Sequence, residues 1–466
     1  MTNEKNVSTV LIPLSKGKKN AVILGSVCLM LSIAMFGVGF FVIQGPILDE
    51  MNASGYYSLL TIFASLGLAV MTPIGGKLGD LFGRRNVIII SGSVCAVCGI
   101  GMGLIRSVLP FILLRLILGA AQGAFTAAPY ILMREINEPK HVPKSMGILA
   151  SAIAVGGFGG SILLGAMADA GQLGIAIMIP VIPLVIGIVL IAVNLPNKKK
   201  DAKTAIDIPG IICLAILLSA FCLSMNYGPS IGWGDMKIVF GLILTVIALI
   251  VFVKIENKTS EAIVPMYLFK NKQYTALLIV GFICYFYQTA MNAYAPLAVQ
   301  KVIGASAAIS GSLQFPRSVL TMVLPTIVGV WVGKKKDNLW LAMAFATGII
   351  AAAFVPLGFT SASTSVLTYF VAISLTGIAE SFRSVSVTPA AQATLRPEDL
   401  GVGTALVTFV NSLASLFAAA IYSVIYGMSP DSVQTGVNNI FLLTVAISAA
   451  GLLIVLLTVR KHITAQ

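Results

Sequence analysis

Long apolar runs, each broken by a short polar cluster, repeat from near residue 21 to residue 459. Their spans are 21–44, 57–75, 86–105, 108–133, 144–167, 173–195, 208–228, 236–253, 273–299, 308–333, 338–359, 364–389, 400–427 and 437–459. Most are long enough to cross a hydrocarbon core about 30 Å thick as a helix. In lipid, each backbone group of an isolated segment must bond within that segment, which selects helices over open strands. The pattern therefore predicts an all-α polytopic membrane protein with fourteen transmembrane helices.

Composition agrees: 58% of residues are hydrophobic, 10% are charged and mean hydropathy is +0.97. Soluble domains carry about 25% charged residues, so a soluble fold is excluded. Residues 1–20 are polar, with Lys5, Lys16, Lys18 and Lys19, and no signal peptide is expected there. A net charge of +13 would suggest a nucleic-acid partner, but its distribution says otherwise. With the N-terminus inside, 24 of the 30 Lys and Arg fall in inside segments, and only Arg106, Lys237 and Lys301 fall outside. One missed helix would reverse every later loop and erase that asymmetry. The expectation is a multi-pass plasma-membrane protein with both termini cytoplasmic, the lipid bilayer as its surroundings and no nucleic acid.

The order of segments suggests a repeat. Residues 21–195 form a first six-helix bundle after a cytoplasmic tail at 1–20, and the basic stretch 196–207 is a linker. Residues 208–253 hold an inserted helix pair, 254–272 a second cytoplasmic linker, 273–459 a second six-helix bundle and 460–466 a tail. Repeated halves of this kind place a binding site at their interface near the midplane.

Between the second and third segments stands Gly76-Lys77-Leu78-Gly79-Asp80-Leu81-Phe82-Gly83-Arg84-Arg85, predicted to be the joining loop. Glycines 76, 79 and 83 permit close helix ends and left-handed turns. This G-x-L-G-D-x-x-G-R-R spacing resembles the loop signature of the major facilitator superfamily of secondary transporters. Arg115 and Gly119 on the fourth segment resemble that family's signature there, and the glycines at 147, 156, 157, 159, 160 and 165 resemble its antiporter glycine motif. Asp207-Ile-Pro-Gly210, Gly232-Trp233 and Pro265–Lys270 are similar to the fourteen-helix drug:proton antiporter branch. The chain departs from that branch twice: Gly37 stands where an acid is usual nine positions before Pro46, and Ser161 where proline is. The resemblance implies alternating access driven by an ion gradient, with Gly76, Gly79, Asp80, Gly83 and Arg84 as a conformational gate. Gly329–Asp337 is its expected counterpart in the second half.

Three basic residues, Arg115, Arg317 and Arg383, and one acid, Glu380, remain inside apolar segments. Such charges are costly and usually face a bundle interior or a water-filled path. In the family plan all four fall on cavity-facing or adjacent helices. Glu380 and Arg383 stand at i and i+3, so they share a face. They form either a structural salt bridge or a pair in which Glu380 carries the proton. Arg317 follows Pro316 and suits a carboxylate or sulfonate better than lysine would; it also suits backbone carbonyls freed by the proline. Tyr285, Tyr287, Gln288, Asn292 and Tyr294 offer polar and aromatic lining, with Gln44, Gln122, Gln314 and Asn411 as weaker candidates. Substrate binding is assigned to Arg115, Arg317, Arg383, Tyr287, Gln288 and Asn292, and proton coupling to Glu380.

Three positive charges against one negative favour an amphipathic organic anion, such as a bile acid, as the small-molecule substrate, moved with protons by a monomer. Multidrug efflux by drug/proton antiport is the alternative. A non-transporting receptor or a membrane-embedded enzyme would need a further soluble domain or a catalytic cluster, which the loops lack. Cys95 and Cys98 lie in an apolar segment without metal-ligand partners, and Gly156–Gly160 lacks the strand a dinucleotide loop requires. No phosphate-binding G-x-x-x-x-G-K-[ST] occurs. No enzyme activity, cofactor or metal is expected.

Overall fold

A computed structural model describes residues 12–138, 141–197, 207–259, 262–335, 337–396 and 399–459. The tail 460–466, most of the tail 1–20 and most of the linker 196–207 therefore lie outside the described residues. Among the described residues, fourteen helices are long and apolar enough to cross a membrane. They are α1 Lys16–Glu50, α2 Ser54–Phe82, α3 Arg84–Leu104, α4 Val108–Ile136, α5 Lys144–Asp169, α6 Leu173–Asn194 and α7 Ile208–Ile231. The chain continues with α8 Met236–Lys258, α9 Lys272–Lys301, α10 Ala307–Lys334, α11 Asp337–Phe359, α12 Val366–Ala393, α13 Val402–Gly427 and α14 Val433–Leu457. Among the described residues no strand occurs.

Each predicted segment coincides with one helix, and the differences lie at the ends. The stretch Gly76–Arg85 is corrected most: α2 stays helical through Phe82, α3 begins at Arg84, and Gly83 alone makes the turn. Likewise Gly329 and Gly333 lie within α10, and Asp337 opens α11. Polar residues and glycine weaken a helix by only about 1 kcal/mol each. Where packing supports the helix, it runs past the edge of the apolar stretch.

Glycines set the tightest crossing in the first half. An added Cβ would lie 2.3 Å from the Leu116 carbonyl oxygen at Gly67 and 2.4 Å from that of Ala124 at Gly75, so α2 and α4 touch backbone to backbone. In this half α1 packs on α5 and α6, α2 on α4, and α3 on α4 and α6. The same partners recur eight helices later: α9 on α13 and α14, α10 on α12, and α11 on α12 and α14. The repeat extends to backbone irregularity, since α1 and α9 each carry a π-helical turn near the middle, at Met35–Gly39 and Ala290–Tyr294. Such turns free carbonyls from the helical ladder and often mark functional sites.

The halves meet along two seams, α2 on α13 and α5 on α10. At the second seam a Cβ on Gly311 would lie 2.3 Å from the Ser161 carbonyl oxygen. The inserted pair packs α7 on α8, and α7 lies against both α2 and α13. Phe240, Ile243, Val246 and Ile247 on α8 are exposed. That apolar face suits lipid, the solvent that a face of this kind requires.

The two ends of the molecule differ. At the Glu50 end the halves are bonded together: Tyr57 donates its hydroxyl to the Ala293 carbonyl at 2.6 Å, Gln300 Nε2 donates to that of Val42 at 2.8 Å, and Asp49 pairs with Lys301. Asp169 accepts the backbone N–H groups of Ala307 and Ala308, both at 2.9 Å, capping the start of α10 from the other half. At the Gly83 end a cavity of about 940 Å³ separates Pro73–Arg84 and Arg134 from Tyr267, Lys270 and Val402–Phe409.

Candidate functional site

A second cavity, about 730 Å³, lies between the halves near mid-depth. Its first-half wall is Val38 of α1, Tyr130 of α4 and the small-residue face of α5 from Gly147 to Gly157. The second-half wall is polar, with Tyr285, Gln288, Asn292, Gln314, Arg317 and Glu380.

Those side chains form one connected chain. Gln314 Nε2 donates to Asn292 Oδ1 at 3.2 Å, and Asn292 Nδ2 to Gln288 Oε1 at 3.5 Å. Gln288 Nε2 and Arg317 Nη2 each reach the Tyr287 hydroxyl at 3.4 Å, and that hydroxyl donates to Glu380 Oε2 at 3.1 Å. Arg383 closes the series with Nε 2.9 Å from Glu380 Oε2 and Nη2 2.5 Å from Oε1, while its guanidinium lies over the Tyr285 ring. Two local features bring the groups together. Asn292 sits within the π-helical turn of α9. On α12, Gly377 lets the α10 backbone approach, because an added Cβ would meet the Arg317 carbonyl oxygen at 2.9 Å.

The electrostatics of this wall follow from the pairing. Glu380 is engaged on both oxygens by Arg383, a bidentate arrangement that largely neutralises the two. Arg317 is left as the excess charge. Its Nε is buried without a hydrogen-bond partner, and its bond to Tyr287 is long. A buried donor in this state costs about 1–3 kcal/mol, which an incoming acceptor would recover.

The structure thus brings together eight of the sequence-predicted residues: Tyr285, Tyr287, Gln288, Asn292, Gln314, Arg317, Glu380 and Arg383. Tyr287 and Arg383 stand behind the cavity wall, bonded to Glu380. Arg115 is elsewhere, and its expected place on the cavity is corrected. It is buried inside the first half, donating from Nη2 to the Phe36 carbonyl at 2.9 Å, with its guanidinium 4.0 Å from the centre of the Phe40 ring. Phe36 lies in the π-helical turn of α1, so Arg115 supplies a donor where the helical ladder is disturbed. Gln44 is spent on the Tyr57 carbonyl and the Thr61 hydroxyl, and Tyr294 meets Ser58 across the Glu50-end seal.

At the Gly83 turn, Arg84 pairs with Asp80 at 2.9 Å across the α2–α3 junction and with Glu135 at the end of α4. Arg85 does not join Asp80; its Nε donates to the Ala192 carbonyl of α6 at 2.9 Å. Gly83 itself has φ +85°, and an added Cβ there would lie 2.0 Å from Asn197 Oδ1. Sequence reasoning missed Glu135 and Gly377. Neither carries a local signal, since one partner lies 51 residues away and the other matters only once α10 and α12 are packed.

Comparison with known proteins places this geometry. The profile of the Major Facilitator Superfamily matches residues 22–419. The chain is similar to the multidrug transporter protein MdtP of Bacillus subtilis (strain 168), 24% identical over 427 residues, covering 90% of this chain and 77% of that protein. It is similar also to multidrug resistance protein 3 of the same strain, 24% identical over 418 residues, covering 87% and 79%. An uncharacterized MFS-type transporter of Mycobacterium tuberculosis (strain ATCC 25618 / H37Rv) is 27% identical over 363 residues, 78% of this chain, which spans about half (52%) of that relative. Among solved structures, a POT family transporter in complex with 5-aminolevulinic acid superposes with TM-score 0.72 at 14% identity, covering 98% of this chain and 99% of that one. The nucleoside transporter NupG superposes with TM-score 0.65 at 12% identity, covering 94% and 99%.

Proposed function

Because the chain belongs to the major facilitator superfamily and is a secondary transporter of that type, we propose that it moves an amphipathic organic anion by proton-coupled alternating access. The observation that carries this reading is Arg317, a half-buried residue on the cavity wall with a buried, unpartnered Nε and no carboxylate of its own. A substrate carboxylate or sulfonate would take that donor. The opposite wall, small and largely apolar from Val38 to Gly157, would hold the hydrocarbon body of a molecule of the bile-acid kind.

Proton coupling is assigned to Glu380. With Glu380 ionised, the wall carries one net positive charge from Arg317, Arg383 and Glu380 together. With it protonated, Arg383 is released from its bidentate pair and the wall carries two. Anion binding and proton binding therefore reinforce each other, the logic of symport. Tyr287 links the groups, because its hydroxyl touches both Glu380 and Arg317. In this reading the Gly83 end faces the cytoplasm, as the lysine and arginine count suggests, and the conformation is open inward and sealed at the Glu50 end.

A second reading, multidrug efflux by drug/proton antiport, is favoured by the relatives named as multidrug proteins. A lipophilic cation would meet a net positive wall on which the one acid is already engaged, so that reading requires Glu380 to exchange Arg383 for the drug. The test is flux into and out of proteoliposomes of a labelled bile acid and of a lipophilic cation under an imposed pH gradient. Anion flux that collapses in Arg317→Ala supports the first reading. Flux of the cation alone would overturn it.

A further inference from the structure

At the base of the inserted pair, two buried carboxylates face each other away from the transport cavity. Asp207, immediately before α7, accepts the Gly210 backbone N–H on Oδ1 at 2.9 Å, and Glu256, in the last turn of α8, accepts that of Val264 on Oε2 at 2.8 Å. Their remaining oxygens, Asp207 Oδ2 and Glu256 Oε1, are buried and have no hydrogen-bond partner, and both residues are more than nine-tenths buried. These two oxygens converge. The position that a Cβ on Gly210 would occupy lies 2.4 Å from Asp207 Oδ2 and 3.0 Å from Glu256 Oε1.

Two ionised carboxylates so placed repel each other in a medium that screens poorly, and each leaves an acceptor unused. One proton removes both penalties, because a carboxyl O–H then donates to the facing carboxylate. Each outer oxygen already has its N–H donor, so the pair needs nothing else. We propose that Asp207 and Glu256 form a second proton site, holding one shared proton, that ties the start of α7 to the end of α8 beside the gate.

Its placement gives it a task. Glu256 lines the cavity at the Gly83 end together with the gate residues. Among the described residues, the other charged groups facing that space are Lys77, Asp80 and Arg84 at the α2–α3 junction, Arg134 of α4 and Lys270 before α9. Lys77 Nζ reaches the Ala262 carbonyl at 3.5 Å, in the same short segment whose Val264 N–H bonds Glu256. Loss of the proton leaves two buried negative charges next to Lys77, which draws the gate end of α2 toward the inserted pair. The pair thus senses pH on the Gly83 side, independently of Glu380 and of the substrate.

The site is tested on the purified full-length protein in detergent by thermal unfolding between pH 5.5 and 8.5, in choline, sodium and calcium buffers. The wild type is expected to lose stability as pH rises and the shared proton is lost, equally in all three salts. Glu256→Gln keeps the acceptor for Val264 N–H and supplies an amide donor to Asp207, so its profile is expected to be flat. Asp207→Asn should flatten it as well, and the infrared band of a protonated carboxyl should vanish in both variants. Parallel profiles in wild type and Glu256→Gln would overturn the proposal. So would stabilisation of the wild type by sodium or calcium that both variants lose, which would make the pair a cation site.

Discussion

Gly377 lies against the backbone of Arg317: a Cβ in its place would come within 2.9 Å of the Arg317 carbonyl oxygen and 3.1 Å of its Cα. The close approach of α12 and α10 at this point sets how far Arg317 stands from Glu380, one turn further along α12. Gly377→Ala is therefore expected to push the helices apart at a destabilisation of about 1–3 kcal/mol, the usual range for overpacking. Anion affinity should fall with it, because the guanidinium moves while no polar group is removed. Substrate binding and unfolding measured on the same preparation check this; an unchanged affinity would detach the Arg317 position from the crossing.

Tyr287→Phe removes one hydroxyl and nothing of the ring packing. Arg317 and Glu380 both lose a shared partner, and a net loss of about 1 kcal/mol, or roughly fivefold in flux, is expected. The measurement is initial rate of anion uptake in proteoliposomes. An unchanged rate at every pH would leave Tyr287 as support for α9 alone.

Arg115 and Arg317 are expected to behave oppositely. Arg115→Ala breaks the bond to the Phe36 carbonyl and the contact with the Phe40 ring, and should destabilise the fold by about 2–3 kcal/mol from those two losses. Substrate affinity in the protein that still folds should be near normal. Arg317→Ala removes a guanidinium whose Nε has no partner and whose bond to Tyr287 is long, so stability should hold while anion affinity falls at least tenfold. Reversal of this pattern would put Arg115 back on the transport path.

The fold was legible because a fourteen-helix membrane protein writes its spans as apolar runs, and the charge of alternate loops checks their number. The Glu380–Arg383 pair was legible for a local reason, the i, i+3 spacing. Arg115 was not. Apart from Arg115 itself, the stretch from Val108 to Ala121 is apolar on every face, so nothing nearby in the sequence tells the side facing α1 from the side facing the cavity. The stretch Gly76–Arg85 was read as a loop because glycine and charge cluster there, whereas residues 76–82 continue α2, which packs along α4, in a helix that only Gly83 ends. Glu135 and Gly377 depend on contacts between distant segments, and periodicity is silent on those.

The Gly83 turn gives a backbone prediction. Its φ of +85° strains any residue with a Cβ, and that atom would also strike the Asn197 side chain. Gly83→Ala should cost about 1–2 kcal/mol from the left-handed backbone alone. It should also misalign Arg84 with Asp80 and Glu135, slowing transport more than Glu135→Gln does. Comparing turnover in the two variants at matched expression tests this order.

The seal at the Glu50 end contains two kinds of contact between the halves, and they should differ in weight. Asp49 and Lys301 are each more than a third exposed, where an ion pair is worth about 0–1 kcal/mol. Tyr57 is buried, and its hydroxyl donates to the carbonyl of Ala293 inside the π-helical turn of α9, so Tyr57→Phe removes a buried hydrogen bond at a cost of about 0.5–1.5 kcal/mol. Both bonds exist only while this end is shut, so their loss raises the free energy of the sealed state alone and moves the population toward the opposite conformation. Tyr57→Phe is therefore expected to open the Glu50 end more than Lys301→Ala does. Distances between spin labels placed at Met51 and Val302 would show a larger long-distance fraction in the tyrosine variant, and equal fractions would mean that the exposed ion pair carries the seal.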